Sequence, residues 1–386
     1  MTAGALFSAI LGAVALQLVI WAVVRALRRP AAPAPSAPRP EAAAPTPDDR
    51  AWRAVRVVER QLEDAAGTQL SLHLAPTDGR PLGPGLPGQH LSIEVPVAGG
   101  PPLVRCYSLS GPAAADRLRI TVKRAGQAST ALHERAVVGD VLRIRPPSGR
   151  FVFAPDPGAT PVLVAGGVGI TPLIKMLHNG ALEGGRPAHL YYGVRDHQEL
   201  AFRAELAALR RAHPALRLTV VYSRPDPAAP PELRPDAVGH VDLDLLRRTL
   251  PAGRHRFYVC GPPAMMAALL PALRAWGVAE DDLRAEAFGP AAPSAAPAPT
   301  AAAPQLVQFV RSGRQAQWTG PGTLLELAEA AGVGMDSGCR AGSCGTCEVR
   351  LRSGAVSYLT PPDWAPSPGA CLPCVARPTS AVELDA

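Results

Sequence analysis

The chain has 386 residues, 44 of them proline, with a formal net charge of +7. That length gives room for two or three domains with separate cores. The arginines are scattered through predicted helices and strands with no basic–aromatic stripe, so nucleic acid is excluded as a partner; the modest basic excess suits an acidic protein or an anionic membrane surface.

Gly4 to Val24 is apolar apart from Ser8 and Gln17, about the length that crosses a bilayer as one helix. Arg25, Arg28 and Arg29 follow at once, and no basic side chain precedes the segment. A signal peptide has the opposite charge order, so residues 1–29 are expected to be an uncleaved anchor. The positive-inside rule then places a single-pass protein in the inner membrane with its domains in the cytoplasm. Residues 30–49 and 290–304 are Ala/Pro-rich tethers without a core-forming pattern.

Residues 50–157 contain short β-type runs at Ala54–Glu59, Gln69–Leu74, His90–Val95, Tyr107–Leu109, Leu118–Lys123 and Val141–Arg145, separated by Gly, Pro and Asp turns. This pattern predicts a small antiparallel β-barrel. Residues 158–289 alternate strand and helix: PVLVAGG then a helix from Thr171, HLYYGV then one from Leu200, LTVVYS then one from Asp242, RFYVCG then one from Pro263. Such alternation predicts a doubly wound α/β parallel sheet. Residues 305–386 open with LVQFV, continue with a helix at Leu324–Ala331 and a glycine–cysteine loop, and end in VARPTSAVEL.

Five of the seven cysteines lie at or beyond Cys339, which reads as a metal site in a reducing compartment rather than a disulfide framework. Cys339, Cys344 and Cys347 have the spacing of a plant-type 2Fe–2S loop. Gly338, Gly342 and Gly345 let that loop turn tightly. Cys371 and Cys374 both stand as candidates for a fourth ligand. A zinc site from Cys344, Cys347, Cys371 and Cys374 is the structural rival, but it leaves Cys339 and the glycines without a purpose.

Three further motifs suggest redox chemistry. In Arg105-Cys-Tyr107-Ser108 an aromatic ring, a hydroxyl and a cation offer what an isoalloxazine and its phosphate need. Lys123 then leads to Gly126-Gln127-Ala-Ser129-Thr130, which looks like a helix start with free N–H groups for a phosphate. Gly166-Gly167-Val-Gly169-Ile-Thr171-Pro172 follows an apolar strand and opens a helix, so the backbone can approach a pyrophosphate. Tyr258-Val-Cys260-Gly261-Pro ends another strand, where ligands of open α/β sheets bind. By itself this last segment reads equally well as a buried structural cysteine before a turn.

Taken in order, RCYSLS, VKRAGQASTALH, GDVLRIRPPSGRF, AGGVGITP, YVCGPP and EAFGP resemble the ferredoxin–NADP reductase superfamily. The CRAGSCGTC loop is similar to the fused plant-type ferredoxin of phthalate dioxygenase reductase and phenylacetyl-CoA epoxidase reductase-type proteins. The stretch from YYGVRDHQELAFRAEL to EAFGP is similar to flavohaemoglobin reductase portions. The resemblance implies an α+β β-grasp ferredoxin domain at the C-terminus. It also implies that Arg105, Tyr107 and Ser108 hold the flavin, with Ser129 and its neighbours on the flavin phosphate. Gly166, Gly167, Gly169 and Thr171 would face the NAD(P) pyrophosphate, with Cys260 and Gly261 beside the nicotinamide and Glu286 and Phe288 near the flavin edge. Cys339, Cys344, Cys347 and Cys374 would bind the cluster; Cys374 is chosen because the following Val-Ala-Arg-Pro resembles the strand after the last ferredoxin ligand.

The expected activity is an NAD(P)H-dependent electron-transfer oxidoreductase. Hydride transfer moves two electrons while an iron–sulfur cluster accepts one, and a flavin mediates between them. The family has FMN and FAD members, and the flavohaemoglobin-like stretches favour FAD. Ser223-Arg224 would suit the 2′-phosphate of NADPH, whereas Pro225-Asp226 would oppose it; NADH is the expected coenzyme. The acceptor is expected to be an oxygenase, desaturase, hydroxylase or cytochrome. His133 and His197 are read as polar surface or phosphate-side residues. The rival readings are a membrane-tethered electron carrier with a degenerate flavin module and a zinc-stabilised scaffold.

Overall fold

The computed structural model describes residues 52–100, 102–114, 116–288, 304–359, 361–362 and 364–386. The expected anchor at 1–29 and the tether at 30–49 lie outside the described residues, as does nearly all of the tether at 290–304. Among the described residues no helix is long and apolar enough to cross a membrane.

Alternating apolar residues build the first sheet. Its strands are β1 (Arg53–Leu62), β2 (Gln69–Pro76), β3 (His90–Val95), β4 (Leu103–Ser108), β5 (Leu118–Lys123) and β6 (Val141–Ser148), with α1 (Gln127–Arg135) between the last two. They pair antiparallel in the order β4-β3-β6-β1-β2-β5, and an isolated bridge joins Leu109 to Ile120. Val55, Leu72, Ile93, Ile120 and Ile144 fill the core without exposure, as the period-two pattern requires. Strand β4 begins at Leu103 rather than at Tyr107, because Leu103 to Ser108 pair continuously with Val95 to His90 of β3. Tyr107 is therefore a strand-interior residue. His133 is also not a surface residue: α1 packs against the sheet, and the His133 ring is buried with Nε2 2.8 Å from the Val122 carbonyl.

The second sheet follows the strand–helix alternation. It comprises β7 (Thr160–Gly166), α2 (Ile170–Met176), β8 (Ala188–Val194), α3 (Arg203–Ala212), β9 (Leu216–Tyr222), β10 (Ala237–Val238), α4 (Leu243–Thr249), β11 (His255–Gly261), α5 (Pro263–Ala275) and β12 (Leu283–Ala287). All neighbours are parallel, in the order β10-β9-β8-β7-β11-β12. Leu173 and Leu206 of α2 and α3 pack in one core, and Leu246 and Leu269 of α4 and α5 in another, so both faces are covered. Asp242 caps α4 by accepting the Leu245 N–H at 2.8 Å. The helix expected from Leu200 starts at Arg203 instead. Phe202 stands before it at φ 57°, buried in the core, and its N–H bonds to the Glu63 carbonyl at 3.2 Å.

The third sheet holds β13 (Gln305–Phe309), β14 (Arg314–Trp318), β15 (Val349–Ser353), β17 (Ala370–Cys371) and β19 (Val382–Leu384) in the order β14-β13-β19-β15-β17. Strands β16 (Val356–Tyr358) and β18 (Ala376–Pro378) form a separate pair. The VARPTSAVEL run thus divides between two sheets, turning where the Thr379 N–H bonds to the Ala355 carbonyl at 2.9 Å. Helix α6 (Leu324–Ala330) opens with a capping box between Thr323 and Glu326.

The described residues all belong to one compact unit. The first and second sheets are joined by the Arg119–Glu205 pair at 2.9 Å and by Lys175 Nζ, which donates to the Pro84 carbonyl at 2.8 Å.

Candidate functional site

The cysteines of the C-terminal loop fall into two pairs. The thiols of Cys339 and Cys344 lie side by side, with the Cys106 thiol of β4 beside them, and Cys347 and Cys374 share a separate buried cluster. The Ala341 and Ser343 N–H groups donate to Cys339 Sγ at 3.4 and 3.2 Å, and the Cys339 N–H donates to Cys344 Sγ at 3.3 Å. Backbone donors aimed at sulfur suit thiolates, which accept and cannot donate. Arg340 at φ 54°, Gly342 at φ 74° and Gly345 at φ 67° wind the loop through left-handed turns. A Cβ on Gly345 would collide with the Trp364 indole, so only glycine fits there. Two thiol pairs are what two irons need. This donor set fits a 2Fe–2S cluster.

Cys371 lies elsewhere. It pairs with Val349 in the third sheet and is wholly buried among apolar residues, which push its thiol up to about 12. The four-cysteine zinc set is therefore not assembled, and among the described residues no three His, Cys, Asp or Glu side chains group as a single-metal site.

The glycine loop leaves the end of β7 and enters α2. A Cβ on Gly169 would collide with the Cys260 carbonyl, and one on Gly166 would lie 2.6 Å from Pro262 Cδ. These two glycines thus let the ends of β7 and β11 approach each other. Gly167 differs: its φ is 52°, and a Cβ there would meet only Lys123 Nζ at 4.0 Å. A half-buried backbone turn beside a cation suits a phosphate. Lys123 also pairs with Glu199 at 3.5 Å. Thr171 donates from Oγ1 to the Val168 carbonyl at 3.0 Å, and Pro172 is buried behind it.

Cys260 is fully buried at the end of β11, opposite Glu286 of β12. Desolvation, reinforced by Glu286, raises its thiol well above the ordinary value, so it remains neutral. Gly261 packs against Met265, and Phe288 packs against the core of the second sheet.

On the first sheet the Tyr107 ring packs half-buried against the core, and burial keeps its phenol protonated. Ser108 is buried opposite His90. Arg105 Nη1 donates to the Gly338 carbonyl at 3.0 Å, so its guanidinium meets the cysteine loop. At the start of α1, Ser129 Oγ accepts the N–H groups of Ala125 and Gly126 at 2.9 Å each; these two donors are already satisfied. Gln127 is exposed and Thr130 half-buried beside them.

The geometry thus joins Lys123 to the Gly167 turn, Cys260 to Gly169 and Glu286, and the four cysteines in two pairs. It keeps Tyr107 and Ser108 on a different sheet from Cys260.

Family models match in the same chain order: an oxidoreductase FAD-binding domain over residues 75–153, an oxidoreductase NAD-binding domain over 163–270 and a 2Fe–2S iron–sulfur cluster binding domain over 309–379. The phthalate dioxygenase reductase structure, described as a module for electron transfer from pyridine nucleotides to [2Fe–2S], covers 88% of this chain and 100% of its own, with 26% identity and a TM-score of 0.55. This chain belongs to the ferredoxin–NADP reductase superfamily. A flavohaem-like FAD/NAD-binding domain of nitric oxide dioxygenase from Vibrio cholerae is 30% identical, with a TM-score of 0.56 over 62% of this chain and 99% of that one. The flavohemoprotein of Bordetella pertussis is 38% identical over 246 residues, 62% of this chain. The match spans 61% of that relative's length. In this superfamily member the first sheet is the flavin domain, the second the NAD domain and the third the 2Fe–2S domain.

The residues not singled out from sequence are Trp52, Ser92, Arg145, Lys175 and Trp364. His90-x-Ser92 carried a signal: polar residues alternating with Leu and Ile mark a second strand face, and both are buried at 3% and 1% exposure.

Proposed function

We propose that the chain is an NAD(P)H-dependent oxidoreductase that takes hydride onto FAD and delivers single electrons through its 2Fe–2S domain to a protein acceptor. The observation that carries this reading is the grouping of Cys339 with Cys344 and of Cys347 with Cys374, with the loop held directly against β4 of the flavin domain through Arg105 and Gly338. A bound flavin exchanges a hydride with nicotinamide and releases electrons one at a time, and the cluster takes them singly.

The chain's own residues supply binding and orientation. Lys123 and the Gly167 backbone would hold the dinucleotide's phosphates, while Thr171 stiffens the turn through Val168. Cys260, neutral and dry, would present an uncharged surface to the nicotinamide. Tyr107 and Ser108 would line the flavin, and Arg105 would serve both the flavin side and the cysteine loop. Cys339 and Cys344 would hold one iron, Cys347 and Cys374 the other. The Leu109–Ile120 bridge supports reading the flavin sheet as a closed barrel.

NADH is the preferred coenzyme in this reading, and an oxygenase, desaturase, hydroxylase or cytochrome the acceptor. Gly4–Val24 would tether the protein to the inner membrane with its domains in the cytoplasm; alkaline extraction of membranes would leave such a protein in the pellet. The central test is anaerobic purification of the full chain. Flavin absorption bleached by NADH, with iron and inorganic sulfide present and a paramagnetic signal after reduction, is the expected result. A preparation without iron and sulfide would overturn the assignment.

A further inference from the structure

Three residues of the flavin domain stand side by side across neighbouring strands. Ser92 of β3 is in register with Cys106 of β4 on one side and with Arg145 of β6 on the other. His90 lies two residues before Ser92, hence on the same face. In an antiparallel sheet with one apolar face, this second face ordinarily meets water. Here it does not: His90 and Ser92 are buried, and His90 lies against Ser343 of the cysteine loop.

The contacts across this seam are polar and specific. Arg145 Nη1 donates to the Cys344 carbonyl, and its guanidinium lies between two indoles, 4.8 Å from the Trp52 centroid and 4.9 Å from that of Trp364. Trp364 is the ring that packs over Gly345. The Cys106 thiol lies beside the thiols of both Cys339 and Cys344, and 3.6 Å from Ser92 Oγ. His90 Nε2 lies 3.5 Å from the Ser343 carbonyl. A guanidinium sandwiched between aromatic faces is held in place more firmly than a solvated one.

We propose that this row is a dock for the cysteine loop, and that Arg145 and Cys106 are positioning residues that set the reduction potential of the iron–sulfur site from outside its own domain. The inference rests on the 2Fe–2S reading above. Adding an electron makes the site more negative. A nearby fixed cation and an S–H donor to a ligand sulfur both stabilise that state and raise the potential. The direction follows from chemistry: once Cys339 and Cys344 bind iron as thiolates they can only accept, so in any hydrogen bond between them and Cys106 the Cys106 S–H is the donor. The same flavin-domain strand that carries Arg105 and Tyr107 thereby adjusts the next electron carrier.

The test is a redox titration of the full-length chain with dithionite, followed by the cluster's paramagnetic signal, which needs neither NADH nor an acceptor. Arg145→Met and Cys106→Ala are each expected to weaken reduction about tenfold, a downward shift of ~59 mV for one electron, and to alter the g-values. Arg145→Lys keeps the charge and should recover part of the shift. Should either main variant fail to fold, Trp52→Leu decides: it removes one face of the stack without touching the loop and should move the potential the same way by less. Loaded variants that titrate at the wild-type potential overturn the dock and leave the electron-transfer reading intact. A wild-type chain without iron and sulfide overturns both.

Discussion

Lys175 Nζ, on the helix behind the glycine loop, donates to the Pro84 carbonyl of the flavin domain at 2.8 Å and reaches the Gly111 carbonyl at 3.4 Å. The side chain is 1% exposed. Two carbonyl dipoles replace its hydration, but no carboxylate faces it in those contacts. Burial, and then the Arg119 charge, lower its pKa from 10.5 to about 8.

The sign of the resulting pH dependence follows. Between about pH 8 and 10.5 the unfolded chain carries a proton on Lys175 that the folded chain has released. Stability therefore rises with pH in that window, and the cost of burying the charge is complete below pH 8. Thermal unfolding of wild type and Lys175→Met across pH 7–11 should show this contribution in the difference between the two curves. A constant difference would mean that Lys175 does not titrate in that range.

Gly169 makes a sharper steric prediction. Its missing Cβ is what allows the backbone to lie against the Cys260 carbonyl. Because the obstacle is main chain in the centre of a parallel sheet, it cannot swing aside. Gly169→Ala should cost about 1–3 kcal/mol and weaken NADH binding by displacing the turn at Gly167. Gly334→Ala, where a Cβ meets nothing within 4 Å, is the control and should unfold at the wild-type midpoint. Equal denaturant midpoints for all three proteins would refute the close approach.

The contrast between these positions explains what could be read from the chain. Glycine loop and cysteine spacing are local patterns, and each appears where its spacing places it. The fourth cysteine is different. Cys371 and Cys374 both lie within reach by sequence, and only the strand pairing of Cys371 with Val349 turns one of them inward. The burial of His133 is hidden for a related reason: a polar residue on an amphipathic helix gives no sign that Val122 will offer it a carbonyl. Arg145, Trp52 and Trp364 meet only after three distant segments have folded, so no local spacing reveals them.

The cysteine pairing can be checked directly. Cys374→Ser should abolish the native paramagnetic signal and lower bound iron, since it breaks the Cys347–Cys374 pair. Cys371→Ser should keep both signal and iron content, and lose stability by about 1–3 kcal/mol for a polar group placed in an apolar core. Iron and sulfide analysis beside electron paramagnetic resonance distinguishes the two. The reverse pattern would make Cys371 the ligand.

The seam between the flavin and NAD domains has a second ionic element, and its geometry predicts a large coupling. Arg119 meets Glu205 through two bonds of 2.9 Å, with side chains only 9% and 22% exposed. Burial raises the Glu205 pKa, but His178 and Arg119 outweigh it and leave the carboxyl below its ordinary value. Arg119 also lies 4.9 Å over the Phe202 ring, so it is fixed from both sides. Arg119→Met strands Glu205 in a partly dry site with only His178 beside it, and should cost about 3 kcal/mol. Adding Glu205→Gln removes the stranded charge. The double variant should therefore be more stable than the sum of the two single changes predicts, by about 1 kcal/mol or more. A double-mutant cycle from denaturant unfolding measures this term. Strict additivity would show that the pair contributes nothing to holding the two domains together, and that Lys175 and the backbone bond from Phe202 to Glu63 carry the seam.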